Sequence, residues 1–363
     1  MSVLHRPPGT PPLALQRTHT DRVIDTFGVV AETLWMRLVT SSQYAVGRKA
    51  HAREHALLLE LVNREVVAHD EDVVQLTFAA PDGSPLPAWQ PGCHLDIHLP
   101  SGRRRQYSLC GDPSDTGHYR IAVRKIPDGG GGSLEMHSLR VGTSVEIRGP
   151  RNGFPFVPRE RMLFVAGGIG ITPILPMVRA AQRLGIDWHF VYCGRNRQSI
   201  PFLAEISTWD QQRVTIRLDD EQGVPTAGDV LAEAPTDGAV YVCGPPPLIE
   251  LIRSATADDR AVSIHSERFS APPVRNGRPF EIQLARTGKV VPVPADQSAL
   301  AVIKQHEPNV GYSCQQGFCG SCKVRVVSGT PEHLDGRLTE EERADSMLIC
   351  VSRAKTERLV LDL

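Results

Sequence analysis

The sequence predicts a multidomain β plus α/β protein: a small antiparallel β-barrel, then a parallel α/β unit, then a third unit around a cysteine-rich loop. Three observations carry that expectation. Between residues 57 and 148, six short runs of β-forming residues are separated by Gly, Pro, Asp and Ser. After Phe156, strand-like and helix-like runs alternate, as in a parallel sheet with crossover helices. Beyond a stretch rich in proline and glycine, Cys314, Cys319 and Cys322 crowd into one loop.

The chain has 363 residues, room for two or three domains. Its 41% hydrophobic and 22% charged residues exclude a largely disordered or collagen-like chain. Forty basic residues against 41 acidic ones give a net charge of -1, so no nucleic-acid partner is expected. The most apolar early stretch, 29–39, is broken by Glu32 and Arg37, and no membrane span is expected. Behind His5 and Arg6 come Pro7, Pro8, Pro11 and Pro12 rather than an apolar core, which predicts no secretory signal and a cytoplasmic location. Eight cysteines in a long cytoplasmic chain point to reduced thiols, some of them ligating a metal.

Residues 1–54 read as an N-terminal extension with one amphipathic helix. Val23, Phe27, Val30, Leu34 and Leu38 recur at helical spacing behind Thr20, a suitable N-cap. Residues 20–46 either dock on the protein itself or make a peripheral contact with a partner or membrane surface. The barrel is expected over 55–156, with strands at 57–67, 73–78, 93–99, 105–110, 119–124 and 144–148. The α/β unit is expected over 157–270. Its strands fall at 162–166, 188–193, 214–218 and 240–243, its helices at 172–184, 200–207 and 246–255. A linker at 271–279 leads to a third unit over 280–363, with strands at 280–285, 290–293 and 323–327 and a helix at 298–305. A monomer is favoured, although nothing in the chain states the oligomeric state.

Cys314, Cys319 and Cys322, followed at a distance by Cys350, have the spacing of the plant-type ligand set for a 2Fe-2S cluster. Gly317 and Gly320 lie between the ligands, where a backbone must wrap closely and aim N–H groups at sulfur. A structural zinc site is the alternative, but zinc loops place cysteines in evenly spaced pairs and this triplet is lopsided. The region 280–363 resembles a plant-type ferredoxin domain, which implies a β-grasp fold and one 2Fe-2S cluster.

Upstream, Arg105-Gln106-Tyr107-Ser108 resembles the R-x-Y-S motif of ferredoxin-reductase-like flavin domains. That resemblance implies a tyrosine packed on the flavin, a serine near its hydride-accepting nitrogen and an arginine reaching phosphate. Arginine suits phosphate through its fixed fork of donors, and tyrosine offers a flat apolar face. The run 129–132 with Ser133 leads into a helical segment at 134–139, so the backbone N–H groups of Gly131 and Gly132 can cradle a phosphate.

Gly167-Gly168-Ile169-Gly170-Ile171-Thr172-Pro173 turns from a strand into a helix. Its glycines allow close approach of a pyrophosphate, and Pro173 sits where a first helical turn tolerates it. The run matches the G-G-x-G-x-T-P turn of ferredoxin-reductase-like NAD(P) domains, as do Cys193-Gly194-Arg195 and Cys243-Gly244-Pro245. The likeness implies that Cys243 stands near the nicotinamide and that Phe269 lies against the flavin. Arg195 and Arg197 leave NADPH open as the alternative to NADH, the favoured donor.

From residue 57 onward the chain resembles the phthalate dioxygenase reductase family. The implied cofactors are FMN, with FAD as the alternative, NADH and one 2Fe-2S cluster. The implied function is an NADH-dependent electron-transfer reductase serving an oxygenase, either a Rieske-type enzyme or a haem-thiolate monooxygenase. Two rivals remain at this point: a stand-alone reductase of small acceptors, and a non-catalytic cluster-based redox sensor.

Overall fold

Short β-forming runs broken by turn residues become an antiparallel sheet in the computed structural model, which describes residues 56–69, 73–127, 130–257, 262–308, 310–312 and 314–363. The expected N-terminal helix and Gly129 lie outside these residues. Strands β1 (Leu57–Ala68), β2 (Val73–Ala79), β3 (Cys93–His98), β4 (Arg104–Ser108), β5 (Tyr119–Arg124) and β6 (Ser144–Asn152) form a sheet in the order β4-β3-β6-β1-β2-β5. An antiparallel bridge between Leu109 and Ile121 joins the two edges and curls the sheet into a barrel. Alternate residues such as Leu59 and Leu61, Val74 and Leu76, and Leu95 and Ile97 fill its interior, as a period of two requires. Helix α1 (Gly132–Ser138) seals one end with Met136, and Glu135 accepts hydrogen bonds from Ser101 N at 2.9 Å and Arg103 Nη1 at 3.4 Å.

The next unit is a parallel sheet in the order β11-β10-β7-β8-β9, made of β7 (Arg161–Gly167), β8 (Asp187–Gly194), β9 (Val214–Leu218), β10 (Gly238–Cys243) and β11 (Val262–Glu267). Strand order reverses at β7, so the crevice for a ligand lies at the carboxyl ends of β7 and β10. Helices α2 (Ile171–Arg183) and α3 (Pro246–Ala255) follow those two strands. The edge strand β11 is not among the strands expected from the sequence, and the helix expected at 200–207 narrows to Leu203–Ile206.

Phe164, Ala166 and Tyr241 belong to an apolar cluster that continues into the barrel through Val73, Cys110 and Phe154. Arg179 of α2 reinforces that junction. Its guanidinium donates to the carbonyls of Cys110 at 2.9 Å and Gly111 at 2.7 Å and to both carboxylate oxygens of Glu205 at 2.6 Å.

The C-terminal unit holds β12 (Phe280–Leu284), β13 (Val290–Val293), α4 (Ala299–His306), β14 (Lys323–Ser328), β15 (Pro331–Glu332), β16 (Ser346–Leu348), β17 (Arg353–Ala354) and β18 (Arg358–Leu361). Its main sheet runs β13-β12-β18-β14-β16, with β12 and β18 parallel, and β15 pairs with β17. Ser298 caps α4 by accepting from Ala301 N at 3.2 Å. All four sheets belong to one compact unit, His55–Leu363.

Candidate active site

The barrel, the α/β unit and the C-terminal unit together line a cavity of about 350 Å³, within the size range of small-molecule sites. Arg105, Gln106, Tyr107 and Ser108 of β4 all line it, with Gly132 and Ser133 of α1. The Arg105 guanidinium is anchored by donation to the carbonyls of Arg104 at 2.8 Å and Gly130 at 3.0 Å. A Cβ on Gly132 would come within 2.4 Å of Arg105 Nε, so a side chain there would displace the arginine. The Ser133 hydroxyl accepts from Ile126 N at 3.1 Å, so its first task is to hold the loop in shape. Gly131, at φ 74°, precedes the helix without lining the cavity.

A second cavity of about 750 Å³ opens at the carboxyl ends of β7, β8 and β10. Gly167, Gly168, Gly170, Gly194, Arg195, Gly244 and Pro245 line it. A Cβ on Gly170 would come within 2.2 Å of the Cys243 carbonyl oxygen, which fixes a bare backbone between the two turns. Thr172 faces the first cavity, and Pro173 lines neither.

Cys243 is wholly buried and lines neither cavity. The reason is the period of the strand: its side chain follows Ala239 and Tyr241 into the core, and Gly244 and Pro245 reach the cavity instead. Burial pushes the Cys243 thiol well above its ordinary range, and nearby Glu267 adds to the rise. Phe269, 45% exposed, lines both cavities together with Ile169 and Arg124, so the two share a wall.

Glu267, at the end of β11, lines the first cavity. The residue is half-buried, but its Oε2 is shut off from water and has no hydrogen-bond partner among the described residues. Burial pushes its carboxyl up to about 8, so it is mostly protonated at neutral pH. No motif in the sequence singles out Glu267, nor Lys304, Tyr312, Gln316 and Phe318, which bring the C-terminal unit into the same cavity.

Among the described residues, no three His, Cys, Asp or Glu side chains converge as they would around a single metal ion. The four loop cysteines form two pairs, Cys314 with Cys319 and Cys322 with Cys350, each within hydrogen-bonding reach. Two pairs suit the two irons of a 2Fe-2S cluster and not one zinc ion. In each pair one thiol donates to the other, which pulls Cys319 and Cys322 below the ordinary thiol range. Gln316 N donates to Cys314 Sγ at 3.3 Å and Ser321 N to Cys319 Sγ at 3.4 Å, the bonds to sulfur that a thiolate cluster calls for. Gly317 takes φ 82°, and a Cβ there would meet Val351 Cγ2 at 2.8 Å.

Cys314 itself lines the first cavity, so the cluster loop and the flavin motif share one wall. The class of protein this defines is an iron–sulfur flavoprotein reductase. Known proteins agree with it. Residues 58–156 match an oxidoreductase FAD-binding domain, 164–254 an oxidoreductase NAD-binding domain and 282–355 a 2Fe-2S iron-sulfur cluster binding domain. Phthalate dioxygenase reductase of Burkholderia cepacia is 35% identical, over 85% of this chain and 97% of the relative. The carnitine monooxygenase reductase subunit of Escherichia coli is 38% identical, over 84% of this chain and 98% of the relative. The solved structure of phthalate dioxygenase reductase superposes with a TM-score of 0.63 at 34% identity, covering 85% of this chain and 98% of the other.

The chain belongs to the phthalate dioxygenase reductase family. It is an oxidoreductase with flavin, nicotinamide and 2Fe-2S sites, and its expected fold class is the observed one. No helix among the described residues is long and apolar enough to cross a membrane.

Proposed function

We propose that this chain is the reductase component of an oxygenase system, taking electrons from NADH and handing them singly to a partner oxygenase with a Rieske-type or haem-thiolate centre. The observation that carries the reading is Cys314, a cluster ligand by its spacing, in the wall of the cavity that Arg105–Ser108 also line. The names of the relatives, reductases of a dioxygenase and of a monooxygenase, support the partner class. Reduced cysteines, all eight of them free, suit a cytoplasmic setting.

The bound groups supply conversion of a two-electron donor into a source of single electrons. The residues do the rest. Arg105 and the turn at Gly131, Gly132 and Ser133 hold the flavin phosphate, while Tyr107 and Ser108 face the ring. Gly167, Gly168 and Gly170 admit the dinucleotide, with Gly194, Arg195, Gly244 and Pro245 flanking it, while Thr172 of the same turn faces the flavin cavity and Pro173 lies in the first turn of the helix behind it. Cys243 sets the backbone of that turn from behind, and Phe269 covers the passage between the cavities. A mostly protonated Glu267 keeps a fixed negative charge away from the flavin. Cys314, Cys319, Cys322 and Cys350 hold the cluster.

FMN is favoured over FAD because Tyr312 and Lys304 bound the phosphate end of the cavity, where an adenylate would have to leave. NADH is favoured over NADPH because Asp219 lines the second cavity beside Arg195, and Arg197 lies 4.0 Å from Glu221. Both features oppose a 2'-phosphate.

The test is direct. Denatured protein should release FMN, and NADH turnover should rise when a purified Rieske oxygenase or haem-thiolate monooxygenase is added. Release of FAD would overturn the flavin assignment. Full turnover with dyes and no stimulation by either oxygenase class would favour the stand-alone reductase.

A further inference from the structure

At one end of the first cavity, residues from two separate cores meet around one aromatic ring. The ring is Tyr312, just ahead of the cysteine loop. The Arg105 guanidinium carbon of β4 lies 4.9 Å from its centroid, and the Lys304 ammonium of α4 lies 4.2 Å from it. A Cβ on Gly130 would come within 3.0 Å of both Arg105 Nη2 and Tyr312 Oη, so the glycine turn closes on the same point. Arg105, Lys304, Tyr312 and Gly130 all line the cavity. Among the described residues, Glu267 is the one carboxylate lining the cavity, while Arg105, Arg124, Arg268 and Lys304 are cationic. Cation–π contact offsets only about 0.5–1 kcal/mol per partly exposed pair, and two like charges around one ring repel. Among the described residues, no carboxylate stands against this ring.

We propose that Lys304 and Tyr312 complete the flavin phosphate site from the C-terminal unit, so that a phosphorylated flavin clamps the cluster-bearing unit onto the barrel. The clamp rests on the flavin reading above and adds a consequence to it. Arg105 grips the phosphate from the barrel side, the Lys304 ammonium neutralises it from the other, and the Tyr312 hydroxyl is a donor between them. Loading of the flavin and seating of the cluster are then one linked equilibrium, because an anion bound by both units stabilises only the docked arrangement.

The test uses full-length protein that has been depleted of flavin but retains its cluster, titrated with FMN, with FAD and with riboflavin, which lacks the phosphate. Lys304→Gln should weaken FMN binding on the order of tenfold or more, the scale of a lost charge-assisted hydrogen bond, and leave riboflavin binding unchanged. Lys304→Arg should restore the preference for FMN. Hydrogen exchange in α4 should slow on adding FMN, slow less with riboflavin, and lose that difference in Lys304→Gln. Equal weakening of both flavins in Lys304→Gln, or of neither while the wild type still prefers FMN, would overturn the clamp and leave the FMN assignment standing. A wild type that binds both flavins equally, or prefers FAD, would overturn the FMN assignment itself.

Discussion

The side-chain amide of Gln316 donates to the backbone carbonyl of Arg268, which ties the cysteine loop to the segment presenting Phe269. The same residue's backbone N–H donates to Cys314 Sγ at 3.3 Å. One glutamine therefore contacts a cluster ligand and the shared wall of the two cavities. Beside it, the Phe318 ring meets His94 of β3 edge-on at 5.8 Å, a second tie between the loop and the barrel.

Gln316→Ala should loosen that join at the cost of one hydrogen bond, about 0.5–1.5 kcal/mol. In stopped-flow experiments, flavin reduction by NADH should keep its rate and cluster reduction should slow several-fold. Unchanged cluster reduction would show that the Arg268 contact does not hold the loop in its transferring position.

Two glycines separate a binding defect from a folding defect. Gly132→Ala presses on the flexible end of Arg105, so the arginine moves and FMN affinity should fall on the order of tenfold with little change in stability. Gly170→Ala presses on the backbone carbonyl of Cys243, which cannot yield cheaply, and should destabilise the protein by about 1–3 kcal/mol. Flavin titration and thermal unfolding of both variants would check the contrast. The same effect in both variants would refute it.

What the sequence revealed and what it hid follow from the range of the contacts. The barrel strands, the two glycine turns and the cysteine loop are local patterns, and the structure forms them within a few residues of the expected bounds. Strand β11 escaped notice because Val262-Ser-Ile-His-Ser-Glu267 is an edge strand with only two apolar residues, too faint an alternation to stand out. Tyr312 and Gln316 join the site by packing against Arg105 and Arg268, about 200 and nearly 50 positions away, and Lys304 joins it through Tyr312; no periodicity in their own segments records that. Cys243 illustrates the opposite limit. Its motif is local, but only the sheet register decides that its side chain turns into the core.

Glu267 predicts a pH dependence. Its carboxyl is raised from an ordinary 4.5 to about 8 by burial, so the folded state holds its proton more tightly than the unfolded chain does. Its contribution is fully present below the ordinary value and is lost as pH rises through about 8. Glu267→Gln is neutral throughout and should escape that loss. The stability difference in favour of the variant should grow by roughly 1.4 kcal/mol per pH unit between about pH 6 and pH 8, then level off. A difference that does not change with pH over this range would show that the Glu267 carboxyl is ionised in the folded protein.

The order of electron flow is tested by Cys322→Ala. A 2Fe-2S centre needs four thiolates, and Cys322 is buried against Cys350 in the core of the C-terminal unit, so the variant should assemble no stable cluster. The barrel keeps its own apolar cluster, and the parallel sheet has clusters on both faces, so neither should be disturbed. NADH oxidation with ferricyanide, which accepts electrons from flavin, should therefore persist near the wild-type rate, while transfer to a protein acceptor should be mostly lost. Flavin content equal to wild type must be confirmed first, since a misfolded protein would lose both activities. If the protein acceptor is still reduced at the wild-type rate, electrons leave from the flavin, and Cys314 in the wall of its cavity is not on their route.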